Sequence, residues 1–409
     1  MGLPQNRTDT AAPSQIDRMN IKQAIGMDGA KKDYLLYPAA IPPHEKSDYI
    51  VDVLFDRFRY HSGEGDMWPL TWAEDDIIYA GAGDNKGCPM NLWRIQTLRF
   101  SPSALTNTGQ WSMDMINPQP IPLSKYCQNP KAPYVKPSGL LDIKGVLYLS
   151  IEAQNYGNNP LFCRQQNLNG WIVKSMDGGR TFDPDTTPCH FFEGRLSSCH
   201  FLQFGKGYSG ARDNFVYAYF PCDLEDGCSY WENNDALLLG RVPADRLTHR
   251  EAWEFYCGAD PFHPAWSHDG EKAAPVFSYY KMTGANHVAY NPGIGRYLMG
   301  NYGFVDEDLR PRPVHQMRYP ESHLSQLTLF EAPQPWGPWR LFYRNDNWGT
   351  YGDYQPNFPT KWMTADGCIV YMVSSGSWDD YNFVVQKLAL KTKGNPDFPE
   401  AARHFRYQP

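Results

Sequence analysis

The sequence predicts an all-β fold, a five-bladed β-propeller of four-stranded antiparallel blades. Three observations predict it. A tyrosine recurs inside a short apolar run, as IIYAG at Tyr79, VLYLS at Tyr148, FVYAY at Tyr217, GRYLM at Tyr297 and IVYMV at Tyr371, at intervals of 69, 69, 80 and 74 residues. Ahead of three copies the chain reads Pro, apolar strand, tight turn, second strand: WPLTWAEDDIIYAG from Trp68, KPSGLLDIKGVLYLS from Lys136 and FPTKWMTADGCIVYM from Phe358. The composition is rich in turns and rings, with 34 glycines, 34 prolines and 15% aromatic residues. A repeated sheet with two apolar faces cannot bury both alone, and radial stacking buries them against one another. Two stacked sandwich domains are the rival architecture, but a sandwich would not repeat one strand-turn-strand pattern five times.

Each blade is built in the same order. The turns between its first two strands hold Glu74-Asp75-Asp76, Lys144-Gly145 and Asp366-Gly367, all good two-strand connectors. A third strand follows in every copy: MNLWRIQTLRF, NGWIVKSMD, DALLLGRVP, SQLTLFEAP and YNFVVQKLAL. A Gly-x-aromatic ending then opens the outer strand, at Gly109-Gln110-Trp111, Gly179-Arg180-Thr181-Phe182 and Gly337-Pro338-Trp339. The segment YIVDVLFDRF from Tyr49 lies outside these units and is expected to supply the outer strand of the last blade. Residues 1–48 form an N-terminal arm, and residues 49–409 form one propeller domain.

The net charge of −7 disfavours nucleic acid as a partner, because phosphate binding needs a basic face. No stretch reaches the roughly 18 apolar residues of a membrane span. The N-terminus MGLPQNRTDTAAPSQ is polar, without the apolar core of a signal peptide. The expectation is a secreted or periplasmic chain in mature form, with a cytoplasmic chain as the alternative. The nine cysteines show no zinc spacing. Cys222 with Cys228 and Cys189 with Cys199 are candidate bridges, against the alternative of scattered thiols. Asn6-Arg7-Thr8 is a single sequon in a polar tail. Oligomeric state is not legible.

SMDGGRTF, from Ser175 to Phe182, matches the Asp-box pattern Ser-x-Asp-x-Gly-x-Thr-aromatic and so resembles sialidase-type propellers. The stretches GDMWPLTWAEDD, KPSGLLDIKGVLYL, WEFYCG, YNPGIGRYLM, EAPQPWGPW and FPTKWMTADG resemble a family of five-bladed propellers that includes bacterial endo-D-arabinanases. They spread from about Gly65 to Ser375, and most are fold-building. The resemblance implies a glycan-active propeller, and it implies a key Asp at the start of an inner strand, where Asp66 stands.

Propeller geometry orders the polar residues. Where inner strands begin, here called the top, side chains converge on the axis. That places Asp66, Trp68, Asp84, Lys136, Glu152, His200, Asn357 and Lys361 at the top. Lys272 is expected near the start of the fourth inner strand, and Arg310, Arg312, His315, Arg318, Glu321 and His323 in a top loop. Glycoside hydrolysis needs two carboxyl groups, one to protonate the leaving oxygen and one to activate water or attack. Asp66 is the candidate base or nucleophile; Glu152 or Asp84 is the candidate acid. Trp68 offers a face for a sugar, while Lys136, His200, Asn357, Lys361 and Arg318 are candidates for hydroxyls or a carboxylate. Each has a structural alternative. Asp66 can close a turn, Glu152 can pair with Lys136, Asp84 can be a turn residue, and Trp68 and His200 can be core residues.

The cations suit an anionic glycan, which raises a second chemistry. A uronate lyase would use His200 as base with Lys136 or Arg318 on the carboxylate. A non-catalytic carbohydrate-binding propeller is the third reading. No HExxH, P-loop, GxGxxG after a strand or GxSxG is present. No cofactor or catalytic metal is expected. A structural calcium in or near the channel is compatible with the sequence but not readable from it. Asp177 of SMDGGRTF is expected on the bottom face, bonded within its own turn and away from the chemistry.

Overall fold

The computed structural model describes residues 37–85, 88–97, 111–116, 134–155, 164–258, 260, 263–312, 324–349, 352–376, 381–403 and 405. Five antiparallel sheets are arranged as propeller blades, and the chain closes the ring with its own beginning. Strand β1 (Ile50–Ser62) pairs with the last strand of the fifth blade, with Val53 opposite Leu390 and Ser62 opposite Phe383. It is the outer strand the sequence leads one to expect. An N-terminal strand paired with a C-terminal one locks the ring and leaves no open seam between first and last blades.

Blade 1 is β2 (Asp66–Trp72), β3 (Ile78–Asn85), β4 (Cys88–Thr97) and β5 (Trp111–Met115), side by side in that order. Blade 2 has β6 (Tyr134–Ile143), β7 (Val146–Gln154) and β8 (Gln166–Ser175). Its outer edge is patched rather than continuous. β9 (Phe192–Glu193) pairs with Asn169 and Gly170, and β12 (Ser229–Tyr230) pairs with Gln166 and Asn167. Ahead of β9, along the far end of β8, runs DPDTTPC, whose prolines cannot hold a ladder. Thr187 Oγ takes over, accepting from Ile172 N at 2.9 Å and donating to Ile172 O at 3.0 Å, while Thr186 Oγ accepts from Lys174 N at 3.1 Å.

Blade 3 is β10 (His200–Phe201), β11 (Phe215–Cys222) and β13 (Asn234–Pro243). Its outer position is shared by β14 (Glu254–Tyr256), which adds β15 (Trp266–Ser267), and β16 (Pro275–Thr283). Blade 4 is β17 (His287–Asn291), β18 (Arg296–Val305), β19 (Leu324–Ala332) and β20 (Arg340–Asn345). Blade 5 is β21 (Tyr354–Asn357), β22 (Ile369–Ser375), β23 (Phe383–Thr392) and β1. The repeated tyrosines all fall on the second strand of a blade, on β3, β7, β11, β18 and β22. Four of the five are buried. Tyr79 and Tyr217 donate to Asp75 and Asp213, each four residues earlier, at 2.8 and 2.7 Å.

The described part of the N-terminal arm is docked. Lys46 bridges to Leu341 at the edge of blade 4, His44 stacks on Phe277 at 4.5 Å, and the buried Ala40 donates its N–H to Leu309 O and accepts from Gln326. The candidate disulfides do not form: Cys189, Cys199, Cys222 and Cys228 are all free thiols. At the 222–228 loop the reason is register, because Cys228 faces Asp223 across the bridge and not Cys222. Among the described residues no helix is long and apolar enough to cross a membrane.

Candidate active site

Asp66 is the first residue of the first inner strand, and the backbone there is unusual. Met67 and Trp68 follow with φ of +74° and +46°, in a region side-chain-bearing residues seldom occupy, and the β2–β3 register shifts between Met67 and Leu70. Each such residue costs about 1–3 kcal/mol, and a bulge re-aims the side chains beside it. The inner strands β6 and β21 carry register shifts near their tops as well. A hydrogen bond from Met67 N to Ser375 Oγ, 3.0 Å, anchors the bulge to blade 5.

The Asp66 carboxylate is gripped from two neighbouring blades. Lys136 Nζ lies 3.1 Å from both its oxygens, and Tyr354 OH donates to Oδ2 at 3.1 Å. Lys136 also meets Asp84 Oδ2 at 2.6 Å. The side chain of Asp84 is 43% exposed against 6% for Asp66 and 9% for Lys136, so Asp84 marks the mouth and the pair lies beneath it. Gly83 makes this possible. A Cβ there would stand 2.6 Å from Asp66 Oδ1 and 2.9 Å from Lys136 Cδ.

Burial pushes Asp66 up to about 6, against the pull of Lys136 and with a smaller push from Asp84. Burial opposes the charge on Lys136 too, but its two carboxylate partners hold its pKa above the usual value, so it remains an ammonium. Because that ammonium sits between Asp66 and Asp84, these two carboxylates do not flank an open space.

Glu152 stands opposite Lys136 across the β6–β7 ladder and has no exposed surface. Gln154 Nε2 donates to its Oε1 at 2.7 Å, while Oε2 has no partner. Burial raises Glu152 to about 7, against the lowering influence of nearby Ser198, of Gln154 and of the charge of Lys136. Ser198 Oγ is 2.7 Å from His200 Nε2, and the His200 ring meets the His287 ring edge-on at 5.1 Å. Burial drives both imidazoles down, His200 well below its usual value and His287 to about 3, so both are neutral. Tyr302 OH donates to Trp231 O at 2.8 Å. Burial and the fields of Glu232, Glu152 and Asp66 raise its pKa well above the ordinary range. His287 Nε2, both amide atoms of Gln355 and Asn357 Oδ1 are buried without a protein partner, which keeps the channel wall polar.

The structure therefore brings Asp66, Asp84, Lys136, Glu152 and His200 to the top of the axis. It sends three other sequence candidates elsewhere. Trp68 is fully buried, donates to Asn382 O at 3.2 Å and packs edge-on against Phe383 and Trp93; the bulge turns it between sheets and not toward the pocket. Lys361 sits at the bottom, because it follows the end of β21. It bonds Asp76 Oδ2 at 3.1 Å in the first turn of blade 1. Asn357 is the last residue of β21, buried below Asp66 against the Trp68 carbonyl. Arg318, His315, Glu321 and His323 lie outside the described residues. Lys272 belongs to a turn beside β14, 69% exposed, and the fourth inner strand begins instead at His287. Tyr354, Ser198 and Glu232 were not singled out by sequence reasoning. Only Tyr354 carried a signal, as the residue opening the fifth inner strand.

Two other polar groupings are fully committed. Asp223, Glu225 and Asp235 converge within metal-binding distance, but Lys281 Nζ fills the centre at 3.2 Å from Glu225 and 3.3 Å from Asp235, and Arg164 reaches Asp223 at 2.6 Å. This donor set holds an ammonium and does not fit a divalent cation as well. A cleft of about 290 Å³ opens on the bottom face and is lined by Asp75, Tyr79, Arg94, Asp142 and Arg180. It is remote from the axial cluster and its carboxylates serve their own turns: Asp142 accepts from Glu74 N and Gly145 N, and Asp75 from Tyr79. The axial cluster is the better place for chemistry.

No family model and no curated protein matches this sequence. Among solved structures it is similar to a Bacteroides ovatus protein, at 11% identity over 81% of this chain and 87% of that one, with a TM-score of 0.46. It is similar also to a GH43_1 enzyme from Xanthomonas citri, at 10% identity over 91% and 95%, TM-score 0.41. A third is the native arabinanase of Bacillus subtilis, at 10% identity over 81% and 97%, TM-score 0.40. At such identities the likeness concerns architecture alone.

Proposed function

We propose that the chain is a glycoside hydrolase acting by two-carboxylate chemistry at the top of its axis. The observation that carries this reading is a pair of buried carboxyls in different settings, Asp66 held by the Lys136 ammonium and Tyr354 OH, and Glu152 held by the Gln154 amide alone with Oε2 unpartnered. Asp66, beside the ammonium, serves as the ionised base or nucleophile, and Glu152, whose pKa burial raises, serves as the protonated acid. Lys136 holds the Asp66 carboxylate in its charged form, and Tyr354 fixes its orientation. Glu152 Oε2, buried without a protein partner, is the oxygen left to carry the proton.

The same geometry weakens the lyase reading. Lys136 is already neutralised by two carboxylates and has no charge to spare for a uronate. His200 is a weak base, its pKa driven well below the usual value by burial. The acidic-glycan preference loses its main support with it: Arg310 pairs with Asp308 at 2.8 Å. A neutral glycan, furanose-containing ones included, is the substrate class this site fits better. A polymeric substrate requires an extracellular enzyme, and that location is part of the proposal.

The test is product analysis on a panel of neutral and acidic oligosaccharides. The reading predicts new reducing ends with no unsaturated uronate. Ultraviolet-absorbing unsaturated ends would make it a lyase, and binding without any product would make it a lectin-like propeller.

A further inference from the structure

Asp84 stands beside the Asp66–Lys136 pair, and the reaction as drawn gives it no role. It is next to last in β3 and follows Gly83, which pairs with Asp66 across the ladder. A regular strand sends successive side chains to opposite faces. Position 83 looks toward Lys136, since a Cβ there would stand 3.3 Å from Nζ. By alternation Asp84 would look away. Its φ of +49° breaks the alternation, and Oδ2 comes back to the same ammonium at 2.6 Å. Left-handed backbone at a side-chain-bearing residue is strained, and such strain collects where a side chain has a task. The turn itself does not use the carboxylate. Among the described residues Asp84 has Lys136 as its one side-chain partner, held through Oδ2. Oδ1 is left open at the mouth, on a side chain 43% exposed.

We propose that Asp84 is a specificity-determining residue: its open oxygen takes a hydroxyl of a neutral sugar, and its charge turns away sugars that carry a carboxylate, sulfate or phosphate at that point. Charge and hydrogen-bond chemistry both lead there. Two ionised aspartates against one ammonium leave a net negative charge, and Asp84 is the member that meets solvent. Asp66 lies beneath it, so a sugar that reaches Asp66 passes Asp84. A sugar hydroxyl has a proton for Oδ1, whereas a carboxylate is an acceptor only. Acceptor would then face acceptor and like charge would face like charge, which suppresses the wrong partner. Lys136 cannot relieve that repulsion, because both aspartates already share its ammonium. It acts as the counter-charge that holds Asp84 in place. The same negative field adds to the raised pKa of Asp66.

This inference deepens the neutral-glycan reading and rests on it, and the test separates the two. Glu152→Gln removes the acid and leaves Asp84 untouched, so binding can be measured without turnover. Calorimetry on that protein uses neutral arabino-, xylo- and galacto-oligosaccharides, with trigalacturonate as the acidic probe. The acidic probe should bind more weakly than the best neutral one by on the order of tenfold or more, the scale of like-charge repulsion at a partly exposed site. Asp84→Asn is then added to the same background. Asparagine keeps an oxygen for Lys136 and accepts left-handed backbone, so the fold is spared. It should weaken the neutral ligand about fivefold and strengthen trigalacturonate about tenfold. Discrimination should also shrink as salt rises from ~0.05 to ~0.5 M while Asp84 is present, and lose that dependence in Asp84→Asn. A neutral-to-acidic ratio unchanged by Asp84→Asn, with neutral binding intact, would overturn the role of Asp84 and leave the glycan reading standing. Preferred binding of trigalacturonate with Asp84 in place would overturn it as well. Failure of every glycan to bind the Glu152→Gln protein would remove the glycan reading and this inference together.

Discussion

At the scale of single residues, two aspartates of similar sequence setting have opposite fates. Asp177 lies between Met176 and Gly178 in a turn. Its carboxylate accepts from Thr181 N at 2.9 Å, from Thr181 Oγ at 2.7 Å and from Ser175 Oγ at 2.8 Å. Although desolvation pushes its pKa up, these hydrogen bonds prevail and hold it below the usual value. Asp177→Ala should therefore cost stability, about 1–2 kcal/mol by urea titration, and leave kcat unchanged. Asp66 has a glycine before it where Asp177 has one after, but burial raises its pKa. Local sequence could suggest both outcomes for either residue. Only the blades around them decide. Glu152 makes the same point through its pH dependence. It ionises near 4.5 when unfolded and near 7 when folded. The folded state holds the extra proton in that window, so stability falls as pH rises through it. Glu152→Gln should melt higher than wild type above pH 7, about where the folded group ionises, although it is inactive. A lower melting temperature there would mean Glu152 is not destabilised by its burial.

At the scale of elements, what the sequence made legible is the strand repeat, and what it hid is the detail at strand tops. The tyrosine and the Pro-strand-turn-strand pattern are period signals, and all five second strands fall where they point. The third strands follow. The fourth inner strand was missed because β17 is only five residues long, and the chain before it spends residues 254–283 on a divided outer edge. Trp68 was misread because a side chain's direction in a strand follows from alternation only while the register holds, and here it shifts. Lys361 was misplaced by counting from the wrong end of β21. The candidate carboxylates, by contrast, were legible, since the ends of inner and second strands must converge on the axis. The ammonium of Lys136 links β6 to β2. Lys136→Met should leave a buried carboxylate unpaired, costing about 3–5 kcal/mol. It should also raise Asp66 further, moving the acidic limb of the rate profile above its wild-type position near 6. An unmoved limb would show that Asp66 is not the group read out there. Gly83→Ala intrudes on the same pair and should lower activity with less loss of stability.

At the scale of the whole molecule, the ring closure by β1 fixes the blades so that residues from sequence positions as distant as Asp66 and Tyr354 meet within hydrogen-bond distance. Strained backbone and buried charge meet there. Met67, Trp68, Asp84 and Gln355 all hold positive φ around that meeting point. The rest of the molecule bears these costs through its apolar blade interfaces. The central claim is that this convergence performs hydrolysis with Asp66 as the ionised partner. Turnover of a cleavable oligosaccharide by wild type and by Asp66→Asn, with both proteins shown to be folded by their thermal melts, tests it most directly. The variant should lose activity by about 10²–10⁴-fold or more while remaining folded. Full activity in a folded Asp66→Asn protein would contradict the account.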